Sequence, residues 1–241
     1  MIQENQFKDR HKYIGGSDVP VIMGVNKFTS AWDLLLEKAQ IKEKNFGGNI
    51  YTTVGNLLEP RIQKAANIKN VDEITYKREY LGVPFECHID GLDQTESQIQ
   101  EIKVANQTIS ECLNSYEWQI RTYMYVVGLN KARLILLRRD GHLKQVVNDI
   151  IRHYDLGYIH DFNNLDKDDV NSAVESLEHA INNMVFSTKM LQTINVDHIV
   201  SKCELMLKKV RKFWDYKEQL DQNKDLHSDL DFRLQFEIDM R

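Results

Sequence analysis

An α/β fold is the class this sequence predicts, on three observations. Residues 72–82, 85–103 and 132–139 alternate or run apolar as strands do. Capped helical patterns lie between them, and from about residue 168 onward the pattern is mainly helical. At 241 residues the chain can bury one sizeable core with an appendage. The expected division is a core over residues 1–165 and a mainly helical extension over 166–241, packed on that core or on a neighbouring subunit.

Arg10, His11 and Lys12 precede the run Tyr13-Ile14-Gly15-Gly16-Ser17. Ser17 is expected to N-cap a short helix through Val21, Ile22 and Met23, with Asp18 and Pro20 in its first turn and Gly24 closing it. A Gly-Gly turn entering a helix presents free N–H groups and a hydroxyl to one spot, which suits a phosphate that Arg10 could join. An ordinary capped helix accounts for the same residues. Ser30, with Asp33 three residues later, caps a second helix containing Leu34, Leu35 and Leu36.

After the break at Gly47 and Gly48, a helix is expected over about 52–67, with Leu57, Leu58, Ile62, Ala65 and Ala66 as its apolar face. Pro60 inside it predicts a bend that holds Glu59 toward a neighbouring site, although a plain surface glutamate fits too. The strand 72–82 then turns at Gly82 to Pro84. The next strand puts Phe85, Cys87 and Ile89 on one side and Glu86, His88 and Asp90 on the other.

A short polar loop leads to a strand on which Glu101 and Lys103 share a face while Ile102 and Val104 take the opposite one. Asp90, Glu101 and Lys103 thus converge. Two hard carboxylates suit Mg²⁺ or Mn²⁺, and a neighbouring lysine can orient or help deprotonate a water. On spacing alone, a solvated charged strand face is the commoner reading.

Thr108 and Glu111 form a capping-box pattern ahead of a helix over about 115–127, which Gly128 ends. Gln119 is the odd polar member of a stripe with Tyr116, Ile120, Tyr123, Met124 and Val127; it is either a satisfied core amide or a partner of a site lysine or phosphate. Residues 132–139 read as a central strand, and Asp140-Gly141 as a hairpin turn into residues 144–151. Lys131, Arg133, Arg138, Arg139 and Lys144 make this region basic, a solvated edge or a DNA-backbone contact.

Beyond residue 168, Val174, Leu177, Ile181, Met184 and Val185 recur at helical spacing, followed by Ile199, Cys203, Met206, Val210 and Phe213. The cluster Lys202, Lys208, Lys209, Arg211 and Lys212 is a solvated face, a DNA channel or a subunit contact. The highly charged last twenty or so residues are expected to pack only against a partner.

A formal charge of −5 and a pI near 5.9 exclude a globally basic nucleic-acid binder, so DNA contacts must be local. Cys87, Cys112 and Cys203 are scattered without a CxxC pair, which argues against a disulfide framework, a zinc site or an iron–sulfur cluster. No bilayer-length apolar run and no signal-peptide pattern is present, and a reducing cytosol with no membrane is the expected setting.

Five motifs in order carry a resemblance. They are Arg10 to Lys38 with Ile14-Gly15-Gly16-Ser17-Asp18-Val19 and Met23-Gly24-Val25; Gly55 to Pro60; His88-Ile89-Asp90-Gly91; Glu101-Ile102-Lys103; and Tyr116 to Gln119. Together they resemble the lambda-type phage exonucleases and the related YqaJ-like viral recombinases, a branch of the PD-(D/E)XK nucleases. The resemblance spans roughly residues 10–128. It implies a restriction-endonuclease-like core, a central mixed β-sheet flanked by helices.

It also implies a metal-dependent 5′-to-3′ exonuclease on linear double-stranded DNA, leaving 3′ overhangs for a single-strand annealing protein in phage-type recombination. By the same resemblance Asp90, Glu101 and the Ile102 carbonyl would ligate Mg²⁺, or Mn²⁺ in its place. Glu59 would serve a second metal or its water shell. Lys103 would assist the attacking water, Gln119 would brace lysine or substrate, and Arg10 and Ser17 would grip the 5′-phosphate. Relatives form ring trimers, and the setting would be the cytosol of a bacterial host carrying a phage or prophage. His88 and Arg121 depart from the family pattern and bear on end preference. The alternatives are a structure-specific or restriction-type endonuclease of the same superfamily and a catalytically idle DNA-binding subunit.

Overall fold

The computed structural model describes residues 9–43, 48–68, 74–157 and 161–241. Gly47 and the beginning of the strand expected from residue 72 lie outside them.

A four-stranded sheet ordered β3-β4-β5-β6 divides the molecule: β3 Gly91–Asp93, β4 Gln98–Ala105, β5 Lys131–Arg138 and β6 Leu191–Asp197. β4 and β5 run parallel, and the two outer pairings are antiparallel, so the sheet is mixed as expected. The parallel pair needs a crossover, which α4 Ile109–Val127 supplies. Alternation along the strands sends Ile99, Leu134 and Leu136 to one layer, with α4, and Ile102, Ile135 and Leu137 to the other, with α3 Ile50–Ala65, α5 Gly141–His153 and α6 Lys167–Asn182.

Most caps follow local chemistry. Ser30 accepts the Asp33 N–H at the head of α2 Ala31–Lys38, and Thr108 with Glu111 forms the reciprocal capping box of α4, which Gly128 closes with φ +81°. The expected helix at 115–127 is thus the later part of one helix. Asn49 caps α3, which continues through Pro60; Pro60 and Asn56, whose carbonyl loses its usual donor, are both exposed to water.

β1 Tyr76–Tyr80 and β2 Val83–Cys87 form a separate antiparallel hairpin. Its turn is Leu81-Gly82, both at positive φ, rather than Gly82 to Pro84. Arg78 fastens the hairpin to α4, donating to the Tyr125 carbonyl at 2.6 Å and lying over that ring. The chain therefore leaves one sheet at Cys87 before joining the other at Gly91, and Asp90 stands at the bend between them.

Three expectations are corrected. Ser17 does not cap the first helix: Gly16–Asp18 is a 3₁₀ turn in which the Asp18 carboxylate accepts the Gly15 N–H at 2.8 Å, and α1 Val19–Ile22 follows. Asp140-Gly141 is not a hairpin turn but the start of α5, because Leu143, Val147, Ile150 and Ile151 bury one helical face. The last residues do not await a partner. In α8 Leu230–Asp239, Phe236 packs on Trp32, Phe213 and Tyr216 with ring centroids 5.4, 6.2 and 5.1 Å apart.

Residues beyond 165 also complete the main sheet and core. β6 closes the edge beyond β5, and α7 Val200–Gln222 buries Met206, Val210 and Phe213 in the same cluster as Ile22 and Leu35.

The amino-terminal segment is locked by a buried ion pair. Lys38 lies 2.7 Å from Asp18, both nearly inaccessible, and also donates to the Arg10 and Tyr13 carbonyls. Burial alone would raise the Asp18 pKa, but the Lys38 and Arg10 charges outweigh it and hold it below the usual carboxylate range. We expect Asp18→Asn to cost about 3–5 kcal/mol by leaving a buried ammonium uncompensated, measured by urea unfolding. Because the folded value is the lower one, the carboxylate's contribution is present above its unfolded value of about 3.9 and is lost as pH falls through the folded value.

Candidate active site

The bend at Asp90 and the middle of β4 lie together. Asp90 Oδ2 accepts the Ile102 N–H at 2.7 Å, so its carboxylate is fixed to the strand that carries Glu101 and Lys103. Glu101 is wholly inaccessible. Its Oε1 takes Lys103 Nζ at 2.5 Å and Gln119 Nε2 at 3.0 Å, while Oε2 is buried and accepts no hydrogen bond from the described residues.

Burial pushes the Glu101 pKa well up, the Asp90 charge adds to that, and Lys103 only partly opposes it. Burial would lower Lys103, but the charges of Glu101 and Asp90 outweigh it and keep the ammonium charged. Its charge also lies 4.9 Å from the centre of the Tyr116 ring.

Glu59 reaches this cluster through α3. One turn on, Gln63 donates to the Asp90 carbonyl at 2.8 Å and lies 3.5 Å from Glu59 Oε1, and Glu59 is among the charges that raise Glu101. Asp90, Glu59, Glu101, Lys103 and Gln119 are thus brought together.

The donor set fits a hard divalent cation. The Asp90 carboxylate at the bend, the Glu101 carboxylate on β4 with one unmet buried oxygen, and the carbonyl of the adjacent Ile102 are all oxygen donors. Among the described residues no three acidic, histidine or cysteine side chains form a ready-made cage, which suits an ion that keeps several waters.

Arg10 and Ser17 also meet: the guanidinium donates to Ser17 Oγ at 2.9 Å and to Asp18 Oδ1 at 3.1 Å. Their loop touches the cluster through a residue not singled out for a role. Tyr123 OH accepts Gln119 Nε2 at 2.7 Å, and its ring lies against Gly16, where an added Cβ would come within 2.2 Å of it. A signal for Tyr123 existed, since it follows Gln119 by four residues on one face of α4.

His88 is exposed just before the bend. Arg121 is buried as a strut: it donates twice to Glu117 Oε1, at 3.0 and 2.7 Å, and to the Asp197 carbonyl on β6 at 3.3 Å.

A family model described as the YqaJ-like viral recombinase domain matches residues 6–130. Among curated proteins, the uncharacterized protein YqaJ of Bacillus subtilis (strain 168) is 26% identical over 166 residues, 65% of this chain. The chain spans about half that relative's length, 52% of it being covered. Among solved structures, a phage related exonuclease from Haemophilus somnus 129PT matches with TM-score 0.54 at 16% identity, over 87% of this chain and 96% of that one. An alkaline exonuclease from Laribacter hongkongensis gives TM-score 0.53 at 13% identity, over 92% and 98% of the two chains. These likenesses bear out the PD-(D/E)XK-like fold expected from the sequence.

The Gly16 seat yields a stability prediction. Gly16→Ala should destabilise the protein by about 1–3 kcal/mol through overpacking against Tyr123. In a double-mutant cycle by chemical denaturation, Tyr123→Leu should recover part of that loss. Additive effects would mean that the ring yields freely.

Proposed function

Because this chain belongs to the YqaJ-like viral recombinase domain family, we propose that it is a divalent-metal-dependent deoxyribonuclease that degrades linear double-stranded DNA from its 5′ ends. One observation carries the reading. Glu101, fully buried in the middle of a sheet, keeps one oxygen unmet among the described residues while its other is held by Lys103 and Gln119 beside Asp90. A fold gains no stability from such a group, whose uncompensated burial is costly.

Asp90, Glu101 and the Ile102 carbonyl would hold the ion, Mg²⁺ or Mn²⁺, with Glu59 serving its water shell or a second ion. When bound, the ion supplies Lewis-acid stabilisation of charge on the phosphoryl oxygens. Lys103 orients the attacking water and eases the loss of its proton, and Gln119 fixes the Glu101 carboxylate for its ligand role. Arg10 and Ser17 receive the 5′-terminal phosphate, which would set polarity.

Support comes also from the exonucleases of like fold, one of which was solved in complex with dAMP. The activity would leave 3′ single strands for an annealing protein in phage-type recombination, in the host cytosol. A ring of identical subunits around the duplex fits that task.

The test is degradation of 5′-phosphorylated, 5′-hydroxyl and covalently closed circular duplexes in Mg²⁺. Linear 5′-phosphorylated DNA should be lost fastest, circles should persist, and Glu101→Ala should be inactive. Lys103→Met should lower kcat by roughly 10²–10⁴. Cutting of circles would indicate an endonuclease, and inactivity on every substrate in Mg²⁺ and Mn²⁺ a binding subunit.

A further inference from the structure

Arg139 follows β5 at the end of the sheet nearest the site, its N–H donating to the Ala105 carbonyl at 2.7 Å, two residues beyond Lys103 on β4. The residue is only 9% exposed. The guanidinium stacks 3.9 Å from the centre of the Tyr51 ring and gives its Nε–H to Asn106 at 3.1 Å. Its two terminal amino groups bond to none of the described residues, and no acidic side chain among those residues pairs with it. Those amino groups are not sealed from solvent either.

Burying a cation without a counter-charge is costly, and the protein adds an aromatic platform and an amide that fix its orientation. Burial holds the Arg139 pKa below its usual range, so the packing does not compensate the charge. A solvated edge, one reading of this basic stretch from sequence, would leave the side chain exposed and unplaced.

Tyr51 lies in the first turn of α3, where Asn49 Oδ1 already accepts the Tyr51 and Thr52 N–H groups, so the guanidinium rather than the helix end is left to meet an anion. Glu59 is eight residues further along that helix, about 12 Å at 1.5 Å per residue. Between them is Gly55, where an added Cβ would meet nothing within 4 Å, so the helix face is open at that point.

We propose that Arg139, held by Tyr51 and Asn106, is a subsite for a backbone phosphate of the DNA strand, a few nucleotides from the bond to be cut. This rests on the nuclease reading and deepens it. A planar guanidinium with both amino groups free presents the fork that a phosphate takes bidentately. The interaction is independent of base identity, as degradation of DNA of any sequence requires.

The experiment is fluorescence anisotropy of a short 5′-phosphorylated duplex across a salt series, with Ca²⁺ present in place of Mg²⁺. Arg139→Gln should weaken binding about tenfold at moderate salt. The slope of log affinity against log salt should shrink by about 0.9, the change expected when one phosphate fewer is neutralised. Arg139→Met, which keeps the stem on Tyr51, serves if the glutamine variant does not fold, and Arg139→Lys should keep the wild-type slope. Weaker binding with an unchanged slope in the neutral variants, or no weakening, overturns the subsite. Wild-type protein that neither binds nor degrades linear duplex overturns the nuclease reading itself, so the two failures are distinct.

Discussion

The buried carboxylate of Glu101 is the constraint around which the structure is arranged. A charge in a fully inaccessible position of a sheet survives only if donors surround it or a cation shares it. Lys103, two residues on, is placed by the pleat alone. Gln119 must come from another element, and so the crossover helix α4 has to lie over β4 with its polar residue at that height. Asp90 must approach from the opposite strand edge, which explains why β2 and β3 belong to different sheets: the bend between them lets the Asp90 side chain turn back onto the Ile102 N–H.

The same demand reaches the amino terminus. Gln119 is steadied by Tyr123, Tyr123 by the absent side chain of Gly16, and Gly16 by the turn that Asp18 closes on Gly15. Asp18 is itself held by Lys38 from α2 and by Arg10. A chain of interactions therefore joins the loop of Arg10 and Ser17 to the carboxylate on β4. Each link is a hydrogen bond or close packing, so the separation between the two candidate subsites is fixed by the core rather than by a flexible loop.

Much of this was legible because it rests on short-range rules. Alternation placed Glu101 opposite Ile102, capping chemistry marked Ser30 and Thr108, and Gln119 stood out as polar in an apolar stripe. What escaped had no local signature. β6 has a single buried side chain, Val196, and is held by its ladder with β5, so its sequence shows neither period. Asp140-Gly141 carries a hairpin dipeptide, but the apolar spacing downstream decided for a helix. Ser17 fits a cap by type, yet Arg10 claims its hydroxyl, and Asp18 closes the turn instead by accepting the Gly15 N–H. The packing of Gly16 on Tyr123 spans over a hundred residues of sequence and could not be read from either position.

Two arginines show how burial and pairing separate structural from receptive cations. Arg121, nearly inaccessible, has Glu117 and a main-chain carbonyl for partners, and Lys202 of α7 shares the same carboxylate oxygen at 2.5 Å. That arrangement is committed to the fold: each of the three guanidinium nitrogens has a partner, and the contacts tie α4 to β6 and α7. Arg139 is buried almost as deeply but keeps its terminal donors and lacks an acid among the described residues. Arg10 is intermediate, since its guanidinium is held in place by Asp18 while the Ser17 hydroxyl beside it stays at the surface. A pre-aimed guanidinium loses less freedom on meeting a phosphate than a free side chain would, and the acid that aims it also tempers its attraction for anions. Firm seating with moderate charge suits the proposed role, a grip that would hold a DNA end and then let the shortened strand move on.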